Sequence, residues 1–132
     1  MRAELTIEIE RAPEDVFAYL TDVSKLPEWQ EGVTSATEHD GRIEESRTMF
    51  GRELNTTLEI VAKEEPHLFT LRALNGPVRF TVRHELEPAD GGTQLTVSAE
   101  GDVPGLAAKL LARAAEKQLR KDFEQLKEIL ED

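Results

Sequence analysis

His84, Gln118, Asp122, Thr56, Trp29 and the neighbours Glu45 and Arg47 are the side chains whose types and spacing bear on chemistry. His84 falls on the same alternation as Val78, Phe80, Val82 and Leu86, so a strand here turns its imidazole toward the apolar side. A histidine in that position serves as acid or base near neutral pH, or anchors a polar ligand group. The competing reading is a core histidine bonded to a backbone carbonyl or a helix side chain. Gln118 and Asp122 stand one helical turn apart, flanked by Leu111, Ala115, Leu119 and Leu126. That places both on or beside a buried helix face, within reach of a ligand's hydroxyl or carbonyl. Against it stands a boundary position, partly solvated and paired with Arg or Lys. For Asp122 the boundary reading is the stronger, because a buried carboxylate without a partner costs several kcal/mol.

Glu45 and Arg47 depend on a strand register. A two-residue turn at Phe50-Gly51 pairs Arg47 with Leu54 and Glu45 with Thr56 and points an ion pair inward. A three-residue turn slips the register by one and puts Ser46, Thr48 and Phe50 inside instead. The second is favoured, since it buries an aromatic and spares the desolvation of two charges. Thr56 is the one polar residue on the inner alternation Leu54, Leu58, Ile60 and Ala62, and its simplest role is to satisfy neighbours.

Other chemistry lacks its residues. The chain has no cysteine, so disulfides, thiolate catalysis and cysteine-ligated metal are excluded. His39 and His67 lie by turns and read as solvent-facing, and with His84 they form no metal-ligand spacing. Neither a Gly-rich phosphate loop nor a Gly-x-Ser-x-Gly elbow occurs, and Glu64-Glu65 before Pro66 reads as a solvated turn. No metal and no cofactor are expected.

These residues need elements to hold them. Ala3, Leu5, Ile7 and Ile9 alternate with Glu4, Thr6, Glu8 and Glu10 as a half-buried strand. Pro13 opens a short helix with Glu14 and Asp15 in its favourable first turn and Val16, Phe17 and Leu20 inward. Asp22 caps a second short turn, broken by Pro27 and followed by Trp29. Asp40-Gly41, Asn75-Gly76 and Asp90-Gly91-Gly92 are hairpin signals that separate strands near 33–39, 42–50, 53–64, 68–74, 78–87 and 93–100. Leu95, Val97 and Ala99 mark the inner face of the last of these.

A long amphipathic helix follows, from about Pro104 to Leu130. Leu111, Ala115, Leu119, Phe123, Leu126, Ile129 and Leu130 recur on one face, over a length of roughly 40 Å. Gly105 and the alanines Ala107, Ala108, Ala112, Ala114 and Ala115 thin its first half, which leaves room for a ligand or permits close packing. No repeats, linkers or low-complexity tracts suggest a second domain in residues 1–132.

The 132 residues carry 39% hydrophobic and 33% charged side chains and a net charge of −11. So negative a chain repels phosphate backbones and anionic headgroups, which argues against nucleic-acid and membrane-surface roles. The N-terminus lacks the apolar core of a signal peptide, and no apolar run suits a bilayer span, so neither stable membrane insertion nor export is expected and the location is read as cytoplasmic.

Ile7 to Trp29 (IEIERAPEDVFAYLTDVSKLPEW), Gly51 to Phe69 (GRELNTTLEIVAKEEPHLF), LEPADGGTQLTV and LRKDFEQLKEILE resemble the START-like (SRPBCC) superfamily in its polyketide cyclase/dehydrase branch. The resemblance implies an α+β helix-grip fold, a curved seven-stranded antiparallel sheet around a long C-terminal helix, with two short helices after the first strand. It also implies an apolar cavity for a small hydrophobic molecule, lipid- or polyketide-like, with Trp29 at the entrance as lid, stacking residue or hydrophobic clasp. The expected lining is Leu54, Thr56, Leu58, Phe69, Leu71, Phe80, Val82, His84, Leu95 and Val97 from the sheet, and Leu111, Ala115, Gln118, Leu119 and Asp122 from the helix. A cavity of about 300 Å³ or more is required for a carrier. The rivals are a cyclase or dehydratase using His84 as general base, and a non-catalytic interaction module whose cavity is filled by side chains. The enzyme requires a second inward polar group within reach of His84. Ligand identity and oligomeric state are not legible.

Overall fold

A computed structural model describes the chain from Met1 to Asp132 apart from Phe50, Pro77, Pro104 and the side chain of Met49. The elements run β1 (Arg2–Ile9), α1 (Pro13–Leu20), a 3-10 turn (Val23–Lys25), α2 (Leu26–Trp29), β2 (Val33–His39), β3 (Arg42–Met49), β4 (Arg52–Glu64), β5 (Leu68–Ala73), β6 (Phe80–Ala89), β7 (Gly92–Gly101) and α3 (Ala107–Glu131). All seven strands form one antiparallel sheet in the order β1-β7-β6-β5-β4-β3-β2. From β2 onward each strand pairs with the next, while β1 closes beside β7. The two short helices carry the chain from one edge of the sheet to the other. With α3 across the inner face, this is the helix-grip architecture.

Local chemistry explains the elements. Pro13 begins α1 with Glu14 and Asp15 in its first turn, and Asp22 caps the 3-10 turn by accepting from the Ser24 N–H at 3.1 Å. Pro27 belongs to the first turn of α2, where its missing N–H is harmless, so it starts that helix rather than breaking one. Asp40-Gly41 and Asp90-Gly91 make two-residue hairpins with both φ values positive, the conformation their types tolerate best. Gly92 has a different reason to be glycine: a Cβ there would collide with the Ile9 carbonyl, where β7 starts against the end of β1.

The core lies between the sheet and the helices. Phe17, Leu20, Leu26 and Trp29 meet Leu58, Phe69, Leu86, Leu95 and Val97 of the sheet and Phe123, Leu126 and Leu130 of α3. A register shift between Ile60 and Ala62 pairs Ala62 with Thr70, on the opposite face from Leu71, so Ala62 leaves the inner row expected for it.

Two sequence expectations change here. β3 pairs with β4 through a two-residue connection, Met49 opposite Arg52, so Glu45 and Arg47 face inward and not Ser46 and Thr48; the side chain of Phe50 lies outside the described residues. The long helix is not gripped along its length. Its buried residues are Asp122, Phe123, Leu126 and Leu130, all in the second half, whereas Leu111, Ala115 and Leu119 are half-buried. The expected start at Pro104 also falls outside the described residues. No described helix is long and apolar enough to cross a membrane.

Candidate ligand-binding site

The inner face of β3 and β4 carries polar groups into an apolar interior. Glu45 sits opposite Thr56 and beside Ala36, and Arg47 sits opposite Leu54. The Glu45 side chain is 1% exposed and that of Arg47 22%. Arg47 Nε donates to Glu45 Oε1 at 3.1 Å and its Nη2 donates to Gln30 Oε1 at 2.8 Å. Two buried polar atoms have no hydrogen-bond partner among the described residues: Glu45 Oε2, an acceptor, and Trp29 Nε1, a donor. Leaving such groups unpaired costs about 1–3 kcal/mol each, and more when charged.

Asp122 closes this polar region from α3. It is buried, and its Oδ1 accepts from the Glu31 N–H at 3.1 Å and from Gln118 Nε2 at 2.8 Å. Burial pushes its carboxyl up, and the two hydrogen bonds and the nearby Arg47 guanidinium oppose that shift. The expected boundary carboxylate paired with Arg or Lys is therefore a buried one held by a backbone N–H and an amide. Lys121 next to it pairs with Glu31, which raises the Lys121 pKa. A hollow of about 210 Å³ opens here between α2 and α3, walled by Pro27, Trp29, Lys121, Asp122 and Gln125. Gln30 and the Glu31 backbone were missed by sequence reasoning. Nothing in the end of a four-residue helix signals that it will meet α3 some ninety positions later.

His84 is 4% exposed, with its ring 5.6 Å from that of Phe69 and 5.8 Å from that of Phe123. Its Nδ1–H donates to the Phe69 carbonyl at 2.8 Å, since a carbonyl can only accept. Burial lowers its pKa from the usual 6.5 to about 4, against a smaller opposing effect of that hydrogen bond. It is neutral at pH 7 and a weak base. Among the described residues its one hydrogen bond is to Phe69, so the inward pair Glu45 and Arg47 does not reach it. Trp29, 3% exposed, packs against Phe123 with ring centroids 4.9 Å apart and planes inclined at 58°, a contact that ties the short helices to α3.

The expected apolar lining divides in two. Leu58, Phe69, Leu71, Leu95 and Val97 are buried and filled against by Phe17, Phe123 and Leu126. Leu54, Phe80, Val82, Leu111, Ala115, Gln118 and Leu119 are only half-buried. The close backbone neighbours of α3 are β1 and α2. The inward residues of its first half, Leu111, Ala115 and Leu119, are thus less covered than Phe123, Leu126 and Leu130 of its second. The inner face is tightly packed around Phe69, Leu95 and Val97 and less so toward Leu54, Phe80 and Val82. A second hollow, of about 490 Å³, is polar and lies elsewhere, around Met1, Arg79, Glu100 and Asp102.

Residues 1–131 match the model of a family described as polyketide cyclase / dehydrase and lipid transport. Solved structures of similar fold include a conserved protein from Geobacillus kaustophilus, with a TM-score of 0.86 at 19% identity, covering 98% of this chain and 95% of that one. A START superfamily protein from Mycobacterium smegmatis gives a TM-score of 0.81 at 17% identity, covering 98% of each chain. Ara h 8.0201 gives 0.74 at 18% identity, covering 98% of this chain and 97% of that one. At these identities the likeness is one of fold. No curated protein matches the chain.

Proposed function

Because the chain belongs to the polyketide cyclase / dehydrase and lipid-transport family, we propose that it binds and carries a small, largely apolar molecule bearing a hydroxyl group. The observation that supports this reading is that two buried polar atoms, Glu45 Oε2 and Trp29 Nε1, are unpartnered in a domain whose inward residues Leu54, Phe80, Val82, Leu111 and Leu119 are only half-buried. A hydroxyl carries both complements, a hydrogen-bond donor for a carboxylate oxygen and an acceptor for an indole N–H. A carboxylate meets Glu45 and Asp122 instead, and a pure hydrocarbon leaves both atoms unpaired. Affinity comes from burial, at roughly 25 cal/mol per Å² of apolar surface, and orientation from the polar pair.

The family also contains catalysts, and the inward Glu45–Arg47 pair favours looking for one. His84 draws less support as the base: its depressed pKa and its Nδ1–H bond to Phe69 suit a core residue.

Calorimetric titration with 4-hexylphenol, 4-hexylanisole and 4-hexylbenzoate tests the carrier. The phenol is expected to bind tightest, by about tenfold over the anisole, which keeps the oxygen but lacks the donor to a charged acceptor. Glu45→Gln should shrink that preference. If none of the three binds, the carrier reading fails. Native mass spectrometry of protein from its own source identifies what stays bound.

A further inference from the structure

We propose that the first half of α3 is a docking face for an anionic phospholipid bilayer, whatever ligand the domain holds. Leu106 is 91% exposed and Leu110 71%, and among the described residues Val61 is the one other large apolar side chain so exposed. Leu106 at the N-cap and Leu110, Arg113, Lys117 and Lys121 recur at spacings of three and four, so they form one stripe along α3. At about 100° per residue that stripe lies opposite the face of Phe123, Leu126 and Leu130, and each member is exposed. Leucines that point to water, at the end of a helix whose other end buries its own, are a cost unless something covers them.

The charges point the same way. Residues 107–121 hold five basic side chains, Lys109, Arg113, Lys117, Arg120 and Lys121, against one acid, Glu116. From Asp122 to Asp132 the balance inverts to five acids and the single base Lys127. Cations near a helix N-terminus and anions near its C-terminus oppose the macrodipole, and α3 has no acid in its first turn, no base in its last and no side-chain cap. Helix stability alone does not produce that arrangement. Among the described residues Lys109, Arg113, Lys117 and Arg120 form no ion pair, so their charge is available. The net charge of −11 argued against a membrane surface, but at a Debye length of about 8 Å a bilayer senses the nearest face and not the sum. Basic side chains around exposed leucines fit an interface of headgroups over acyl chains. A nucleic acid would leave the leucines uncovered.

Vesicle flotation with the full chain tests this, comparing phosphatidylcholine vesicles with others containing about one-third phosphatidylglycerol. Binding to the anionic vesicles is expected, with little to the neutral ones, and it should fall as salt rises. Leu106→Ser with Leu110→Ser should cut partitioning about tenfold or more, and Arg113→Glu with Lys117→Glu by a similar factor or more. Thermal melting should show both variants folded, as the positions are exposed. Absence of flotation with either vesicle, equal binding to both, or insensitivity to both variants would overturn the proposal. So would a dimer in solution that the leucine variant dissolves, which would give the stripe to a second copy of this chain.

Discussion

Arg47 Nε meets Glu45 Oε1 at 3.1 Å on the inner face of the sheet, and the second oxygen of the same carboxylate has no partner. The pair is asymmetric: the Glu45 side chain is 1% exposed while Arg47, at 22%, keeps part of its length toward water. Removing the arginine strands a buried charge, so Arg47→Met should cost about 3 kcal/mol or more in chemical denaturation. Glu45→Gln should cost less, and the double variant less than the sum of the two. Additive losses would show that the two side chains do not interact.

His84 makes stability depend on pH in one direction. Its folded pKa of about 4 lies below the usual 6.5, so the unfolded chain takes up a proton that the folded one refuses. Its contribution is complete above about pH 6.5 and lost as pH falls toward about 4, by about 3 kcal/mol in all. Asp122 acts with the opposite sign, because its raised pKa favours the protonated fold as pH falls. Denaturation of the parent and of His84→Gln from pH 7 to 4 separates the two: the variant should lose the steeper fall.

Truncations along α3 should grade in cost. Phe123→Ala and Leu126→Ala remove fully buried groups and should each cost about 2–5 kcal/mol. Leu111→Ala and Leu119→Ala, half-buried, should cost less, and Leu110→Ala within about 0.5 kcal/mol of nothing. Removing the chain after Gly105 should abolish cooperative melting. Equal costs along the helix would mean that its first half packs as tightly as its second.

Tyr19, the single tyrosine, donates to Glu28 at 3.1 Å, and burial together with that carboxylate raises its pKa to about 12. Absorbance titration should place its ionisation well above the ordinary 10, and Glu28→Gln should bring it down.

Much of the sheet was legible because alternation and Asp-Gly turns are local signals: Leu5, Val97 and Leu95 stand where their parity puts them. The register of β3 was not. Comparing the desolvation of two charges with the burial of one aromatic assumed that both charges would be fully buried, and Arg47 escapes that by reaching out to Gln30. Asp122 misled for a related reason, its partner being a backbone N–H from the turn after a distant short helix. On α3 the periodicity of Leu111, Ala115 and Leu119 identified the face that looks inward. Periodicity carries no information on how closely another element approaches, and those residues stay half-buried.

A helix fixed at one end behaves as a cantilever. α3 is clamped by Phe123, Leu126 and Leu130 in the core, by Arg11 on the Leu130 carbonyl and by Lys127 on the Glu8 carbonyl. From Asp122 to Leu106 the free arm measures about 24 Å. A swing of about 5° at the clamp displaces its tip by about 2 Å, about half the van der Waals thickness of a methylene chain, without breaking a hydrogen bond inside the helix. Such a swing bends the helix at one joint, where the Trp29–Phe123 contact, the Glu31 N–H bond to Asp122 and the Lys121–Glu31 ion pair are found.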